Sequence, residues 1–245
     1  MPLISARAVI LQTFPYSETS KILRMLTEDL GVRSVVAKGA LRPKSRFGGL
    51  LEPFTEGQVE FLLKEGRDLH TLSGFDLLRA RQNIGRNLAA FTGASLIAEL
   101  VLRVGTEESH PELFHAVTRA LDEIGEADQD HAWRALAGVW HVIALLGYEP
   151  QLADCVICGN PVAPDEPTRF DVDAGGIACL SCRPRGRMIE PSARDAVQAM
   201  VRGGVGAGPP GDWSLHRALL RAFLSAHLVS DRPLRSLDLF IEELH

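Results

Sequence analysis

Three features of the sequence predict an α+β chain built from several units. Short β-branched runs fill the first 80 residues. The hydrophobic period shifts to three and four residues from about Ala80. Two Cys-x2-Cys pairs then stand in an irregular stretch. The expected architecture is a five-stranded barrel over 1–80 and an α-helical domain over 81–150 and 190–245. A four-cysteine zinc module is expected as an insertion at 151–189.

The strands follow one another closely. Ala6–Gln12 is apolar almost throughout. Lys21–Thr27 is bounded by Ser20 and by the turn Glu28-Asp29-Leu30-Gly31. Val32–Lys38 is short and β-branched, and Gly39 and Pro43 break the chain after it. Thr55–Leu63 alternates in part through Val59, Phe61 and Leu63. Asp68–Phe75 follows the turn Lys64-Glu65-Gly66-Arg67. Five strands in about 80 residues fit the oligonucleotide-binding (OB) barrel, as they fit other small β folds.

The helices announce themselves by period and by caps. Leu88, Phe91, Leu96, Ile97, Leu100, Val101 and Val104 form one apolar stripe. Ser109 is the expected N-cap of a second helix, with Glu112 as its capping-box acid and Leu113, Val117, Leu121 and Ile124 as its buried face. His131–Leu146 is a third, stopped by Gly147 and Pro150. Ser192–Arg202 and Leu215–Leu228 are two more, joined by a Gly203–Asp212 loop.

The cysteines carry the clearest chemical signal. Cys155-x2-Cys158 and Cys179-x2-Cys182 are separated by twenty residues. Such pairs present two sulfurs each to one ion, and four thiolates close a tetrahedral structural zinc site with no open position. Gly159 permits the tight turn behind the first pair, and Thr168–Val172 with Ile177-Ala178 reads as a hairpin that delivers the second. Disulfides or four independent thiols are the alternatives. With little apolar core in this segment, the metal contributes folding energy.

Composition narrows the function classes. The 245 residues carry a formal charge of −5, which excludes a globally basic DNA wrapper. Charge is uneven. Residues 1–80 hold eleven Lys/Arg and nine Asp/Glu, and residues 81–245 hold fifteen and twenty-two. Within 21–46, seven basic residues face only Glu28 and Asp29. Phe14, Tyr16, Phe47 and Phe54 lie near that segment and suit either base stacking or a core. The N-terminus lacks the pattern of a signal peptide, and no apolar run approaches the ~20 residues of a bilayer span.

Other motifs carry little. His110-Pro111-Glu112 matches part of the zinc nucleobase deaminase signature, but it stands far from Cys155, Asp154 replaces the expected proline, and the second cysteine pair is left unexplained. Gly203–Gly208 lacks the Gly-Lys-Ser/Thr ending of a phosphate loop. The remaining histidines, from His70 to His245, show no ligand spacing, and Trp133 and Trp140 suit one helix face turned to a core.

Several segments together resemble a known family. They are Pro15–Ser20, Leu30-Gly31, Val35-Val36-Ala37-Lys38-Gly39-Ala40, Arg42-Pro43-Lys44-Ser45, Leu50–Phe54, Leu145–Tyr148 with Pro150, Phe170 and Gly175-Gly176. Along nearly the whole chain they resemble the bacterial RecO recombination mediators. The resemblance implies a non-enzymatic DNA repair protein of the bacterial cytoplasm and nucleoid. It implies binding of single- and double-stranded DNA, annealing of complementary strands, and work with RecR in loading RecA onto DNA coated with single-strand-binding protein. Neither a membrane nor a small-molecule substrate is expected. The expected phosphate contacts are Lys38, Arg42, Lys44 and Arg46, extended by Arg24, Lys21, Arg33 and Arg7, and the expected zinc ligands are Cys155, Cys158, Cys179 and Cys182. The acidic tail of single-strand-binding protein calls for a basic-rimmed pocket on the helical part, with Arg81, Arg86, Arg103, Arg134, Arg217 and Arg221 as candidate rims. The competing readings are a zinc-containing docking scaffold and a zinc-ribbon transcription regulator, neither with annealing activity.

Overall fold

The computed structural model describes residues 2–209, 213–228 and 232–244. Five strands close a barrel: β1 (Leu3–Pro15), β2 (Lys21–Thr27), β3 (Gly31–Ala37), β4 (Glu56–Leu62) and β5 (Leu69–Arg79). Their order around it is β1-β2-β3-β5-β4, with β3 and β5 parallel and the other pairs antiparallel. Closure depends on β1, which is longer than the Ala6–Gln12 run suggests. Its first half pairs with β4 and its second half with β2, and an irregularity between Ile10 and Gln12 re-aims the strand between them.

β1 is apolar on both faces because it borders two cores. Ala6, Ala8 and Ile10 point into the barrel with Leu23, Met25, Val35, Val59, Phe61 and Phe75. Phe47 and Leu51, from the long β3–β4 connection, plug the same interior. Val9, Leu11 and Leu26 point outward into the core of the helices. Strict alternation therefore fails here, as it does for any strand buried on both sides.

The chain then forms a short 3-10 turn (Gln82–Arg86) and three helices: α1 (Leu88–Val104), α2 (Pro111–Glu126) and α3 (His131–Leu145). Asn87 caps α1 by accepting from the Ala90 N–H at 2.9 Å. The start of α2 differs from expectation by one residue. His110, not Ser109, is the N-cap, and its Nδ1 accepts from the Leu113 N–H at 3.1 Å. Pro111 takes the first helical position, which suits its fixed φ, so Glu112 is one place too early for a capping box. The His110 Nε2 lies 3.3 Å from the Leu145 carbonyl and ties α2 to the end of α3.

Gly31 joins barrel and helices. Its φ is +64°, and a Cβ there would lie 2.3 Å from the Glu108 carbonyl oxygen and 2.4 Å from that of Thr106. Only glycine meets both demands. The next residue, Val32, donates its N–H to the Thr106 carbonyl at 2.8 Å.

Beyond α3 come β6 (Thr168–Asp171), β7 (Gly176–Ala178), β8 (Met188–Ile189), α4 (Pro191–Val201), α5 (Ser214–His227) and α6 (Arg235–Glu242). The three short strands form one sheet in the order β7-β6-β8. Phe170, Ile177 and Ile189 pack into the helical core, and Phe170 meets Phe223 of α5 at 6.2 Å. Trp133 and Trp140 are core residues, as their spacing suggests. No period or cap in the sequence announces α6. Its first N–H groups, at Arg235 and Ser236, are held by the Glu99 carboxylate of α1 at 3.0 and 2.8 Å. Of the loop expected at Gly203–Asp212, residues 210–212 lie outside the described residues, as does His245.

Candidate nucleic-acid groove and metal centre

Three turns of the barrel border one open groove of about 820 Å³. The β1–β2 turn contributes Tyr16, Ser17, Thr19 and Ser20. The end of β3 and the turn after it contribute Val36, Lys38, Gly39 and Arg42. The β4–β5 turn contributes Lys64, Arg67, Asp68 and Leu69. The Leu41 N–H donates to the Thr19 carbonyl at 3.0 Å, which holds the first two turns together. Four cations thus face one acid, and none of the four has a side-chain hydrogen bond or ion pair among the described residues. Tyr16 is 60% exposed at the rim, while Phe47 and Phe54 are core and Phe14 is part-exposed.

The eight basic residues expected to meet phosphate divide into two groups. Lys38 and Arg42 line the groove, and Lys44 and Arg46 are exposed on the loop beyond it. The Arg46 guanidinium lies over the Phe47 ring at 4.8 Å from its centroid. The other four are held by internal partners. Lys21 pairs with Glu52 at 2.8 Å, and Arg24 donates to the Leu102 carbonyl at 3.2 Å. Arg33 pairs with Glu107 at 3.1 Å. Arg7 pairs with Glu56 at 2.5 Å and lies over Phe114. Lys64 and Arg67 line the groove as well, although the sequence does not point to them, because their segment reads first as a turn. The available signal is their place on the rim next to the strand end that carries Lys38.

His70 supports the β4–β5 turn from below. It is buried, stacks on Phe61 at 5.6 Å, and its Nδ1 accepts from the Lys64 N–H at 3.3 Å. Burial lowers its pKa from the usual histidine value, and the nearby Arg33 and Lys64 cations lower it further, against weaker opposition from Glu107 and Asp68. His70 is therefore a neutral acceptor at pH 7.

A buried ion network joins the barrel to the helices. Arg81 donates to Glu56 and to Asp122 at 2.6 Å each and to the Phe54 carbonyl at 3.0 Å. Burial pushes the Asp122 carboxyl up, but the Arg81 and Arg79 guanidiniums outweigh it and hold the carboxyl below its usual range. Arg81 is thus a buried linchpin and no pocket rim. Arg103 is held by the carbonyls of Arg232 and Pro233, and Arg221 pairs with Asp238.

The cysteines converge. The four sulfurs lie within 4.8 Å of one another, and none is in a disulfide. The first knuckle closes through the Gly159 N–H on the Cys155 carbonyl at 2.8 Å, with Gly159 at φ +72°. The second closes through the Cys182 and Arg183 N–H groups on the Cys179 carbonyl. The Val156 N–H donates to the Ile177 carbonyl at 2.9 Å and joins the first knuckle to the β6–β7 hairpin. Burial pushes the Cys155 thiol up, but N–H groups of Cys158, Cys179 and Ile157 more than offset this and bring it down to about 6. Hydrogen bonding with Cys179 and Cys158 pushes the Cys182 thiol up to about 12. One thiolate is thus stabilised by backbone donors, and full ionisation of the set calls for a cation at its centre. The donor set fits a soft or borderline divalent ion in tetrahedral geometry.

Among the described residues no helix is long and apolar enough to cross a membrane. Two family models match the chain: the recombination protein O N-terminal model over residues 1–81 and the C-terminal model over residues 85–238. A DNA repair protein RecO of Bifidobacterium adolescentis is 32% identical over 248 residues, spanning 98% of this chain and 99% of its own. One of Bifidobacterium longum subsp. infantis is 34% identical over 98% of this chain and 99% of its own. That of Prosthecochloris aestuarii is 35% identical over 72% of this chain and 70% of its own. Matched by these models and relatives along almost its whole length, the chain belongs to the RecO family of DNA repair proteins.

Proposed function

We propose that the barrel groove carries the backbone of single-stranded DNA, and that the chain anneals complementary strands and acts as a recombination mediator. The carrying observation is the groove itself. Lys38, Arg42, Lys64 and Arg67 converge there from two turns beside exposed Tyr16, with no side-chain partner for any of the four among the described residues. Cations in such a setting neutralise phosphates without reading sequence, and they release counterions as they do so. The tyrosine adds a face on which any base can stack. Annealing follows from charge. Two strands repel until a cationic surface screens them, and base pairing then supplies the selectivity.

In this reading 1–80 is the DNA-binding domain, 81–150 and 190–245 the docking domain, and 151–189 a module held by structural Zn²⁺. RecR and single-strand-binding protein are partners, RecA benefits indirectly, and duplex DNA is a second ligand. No bond is made or broken by the protein itself, and it works in the bacterial cytoplasm. The family membership supports these partners and this place. The test is anisotropy of a labelled single strand over a salt series, with annealing of its complement read in parallel. Lys38→Glu with Arg42→Glu is expected to lower affinity at least tenfold and to slow annealing, and Lys44→Glu with Arg46→Glu to do so less. Unchanged affinity and annealing rate in the Lys38 and Arg42 variant would remove the groove from the interface.

A further inference from the structure

One loop of the cysteine module carries cations that the barrel does not explain. The module as a whole, 151–189, holds four arginines and five acids, but between Asp173 and Glu190 stand three arginines, Arg183, Arg185 and Arg187, and no acid. The three differ in what they touch. Arg183 pairs with Asp171 of β6, and Arg169 donates to the Gly186 carbonyl. The Phe170 N–H donates to the Arg187 carbonyl at 3.2 Å. The loop is therefore clamped to the sheet by its own backbone and by Arg169 and Arg183. Arg185 and Arg187 are exposed, with no side-chain partner among the described residues. The knuckle tips of the same module present two exposed aliphatic side chains, Ile157 and Leu180, and Met188 follows the loop.

Resting on the reading of the chain as a DNA-binding protein, we propose that Arg185 and Arg187, with Leu180 and Ile157, form a second contact for single-stranded DNA. A rigid loop with two unpaired guanidiniums suits phosphate, which arginine binds bidentately. Exposed aliphatic tips on the same module suit the apolar faces of unstacked bases. The module is also well placed for a separate strand. The barrel packs on α1 and α2, through Arg24 on Leu102 and Arg7 over Phe114, whereas the module packs on α5 through Phe170 and His227. One chain then holds one strand in the groove and another on the module, and that is the arrangement annealing needs.

Two other roles compete for the same arginines. Four thiolates around a divalent ion leave a net negative charge that nearby cations can balance. An acidic protein segment could also pair with them. The experiment uses the full metal-loaded chain. A donor-labelled oligo(dT) is bound at saturation, an acceptor-labelled oligo(dT) is added, and energy transfer between the two strands is read. Neither strand can pair with the other, so transfer reports joint occupancy. The expected result is transfer on the unmodified chain. With Arg185→Ala and Arg187→Ala, affinity for the second strand is expected to fall about tenfold and its salt slope by about 1.4. First-strand affinity should stay within about twofold and metal content should be unchanged. Arg185→Lys with Arg187→Lys is expected to restore only part of the transfer, because the charge returns without the bidentate fork, whereas Lys64→Ala with Arg67→Ala weakens the first strand instead. Full transfer in the double alanine variant overturns the inference and leaves the barrel reading intact. Loss of metal in that variant assigns the arginines to the cluster. Capture of an Asp/Glu decapeptide by Arg185 and Arg187, with strand transfer unaffected, assigns them to a protein partner. Failure of the unmodified chain to bind even the first strand at low salt defeats both readings.

Discussion

Arg7, Arg24 and Arg33 belong to the basic N-terminal third, yet each is held by an internal acid or carbonyl. Sequence counts cations and does not show which are already paired. Arg81 is the extreme case. It sits with Glu56 in the joint between barrel and helices, both almost wholly buried. Replacing Arg81 by Met leaves Glu56 paired with Arg7 and Asp122 with Arg79, and the expected cost is about 2–3 kcal/mol in denaturant titration. Unchanged stability would show that Arg81 is not the joint. The two buried histidines give a pH dependence. Burial lowers the pKa of His216, and burial with neighbouring cations lowers that of His70. The unfolded chain therefore takes up protons first as pH falls below about 6.5, so stability is full above that value and declines below it. Thermal melts at pH 7.5 and 5.5 should show this, and the decline should be smaller in His216→Phe.

Elements are legible where one side of the chain faces one environment. β2, β3 and β4 and the apolar faces of α1–α3 follow from period and propensity. β1 reads too short because Val9 and Leu11 serve the helical core while Ala8 and Ile10 serve the barrel. α6 is hidden because its N-terminal cap is the Glu99 carboxylate, 136 residues away in sequence from Arg235. The cysteine module is the most legible site of all, since two short knuckles fix their own sulfurs locally. Its strands have only four, three and two residues, too few to hold the fold by pairing alone. With a metal ion held by the four sulfurs, chelation should therefore open 152–189 first. Hydrogen exchange at Val156 and Ile177 is expected to accelerate by at least tenfold, while β1–β5 keep their protection. Loss of protection in both together would mean that the module and the barrel unfold as one.

The whole molecule sets a partly cationic barrel on an acidic helical body, with the buried Glu56–Arg81–Asp122 network between them. Its central feature is a groove whose cations come from turns far apart in sequence, which is why Lys64 and Arg67 are hard to see in a linear reading while the 21–46 segment stands out. If that groove carries the strand, its unpaired cations matter and the paired arginines beside it do not. The most direct measurement is the salt dependence of single-strand binding for Lys38→Ala with Arg42→Ala, Lys64→Ala with Arg67→Ala, and Arg24→Ala with Arg33→Ala. Each groove pair should lower the slope of log affinity against log salt by about 1.4, or about 0.7 for each phosphate that is no longer neutralised. The paired arginines should leave the slope unchanged, whatever they do to stability. A slope that falls for Arg24 and Arg33 and holds for the groove pairs would place the strand elsewhere and contradict the account.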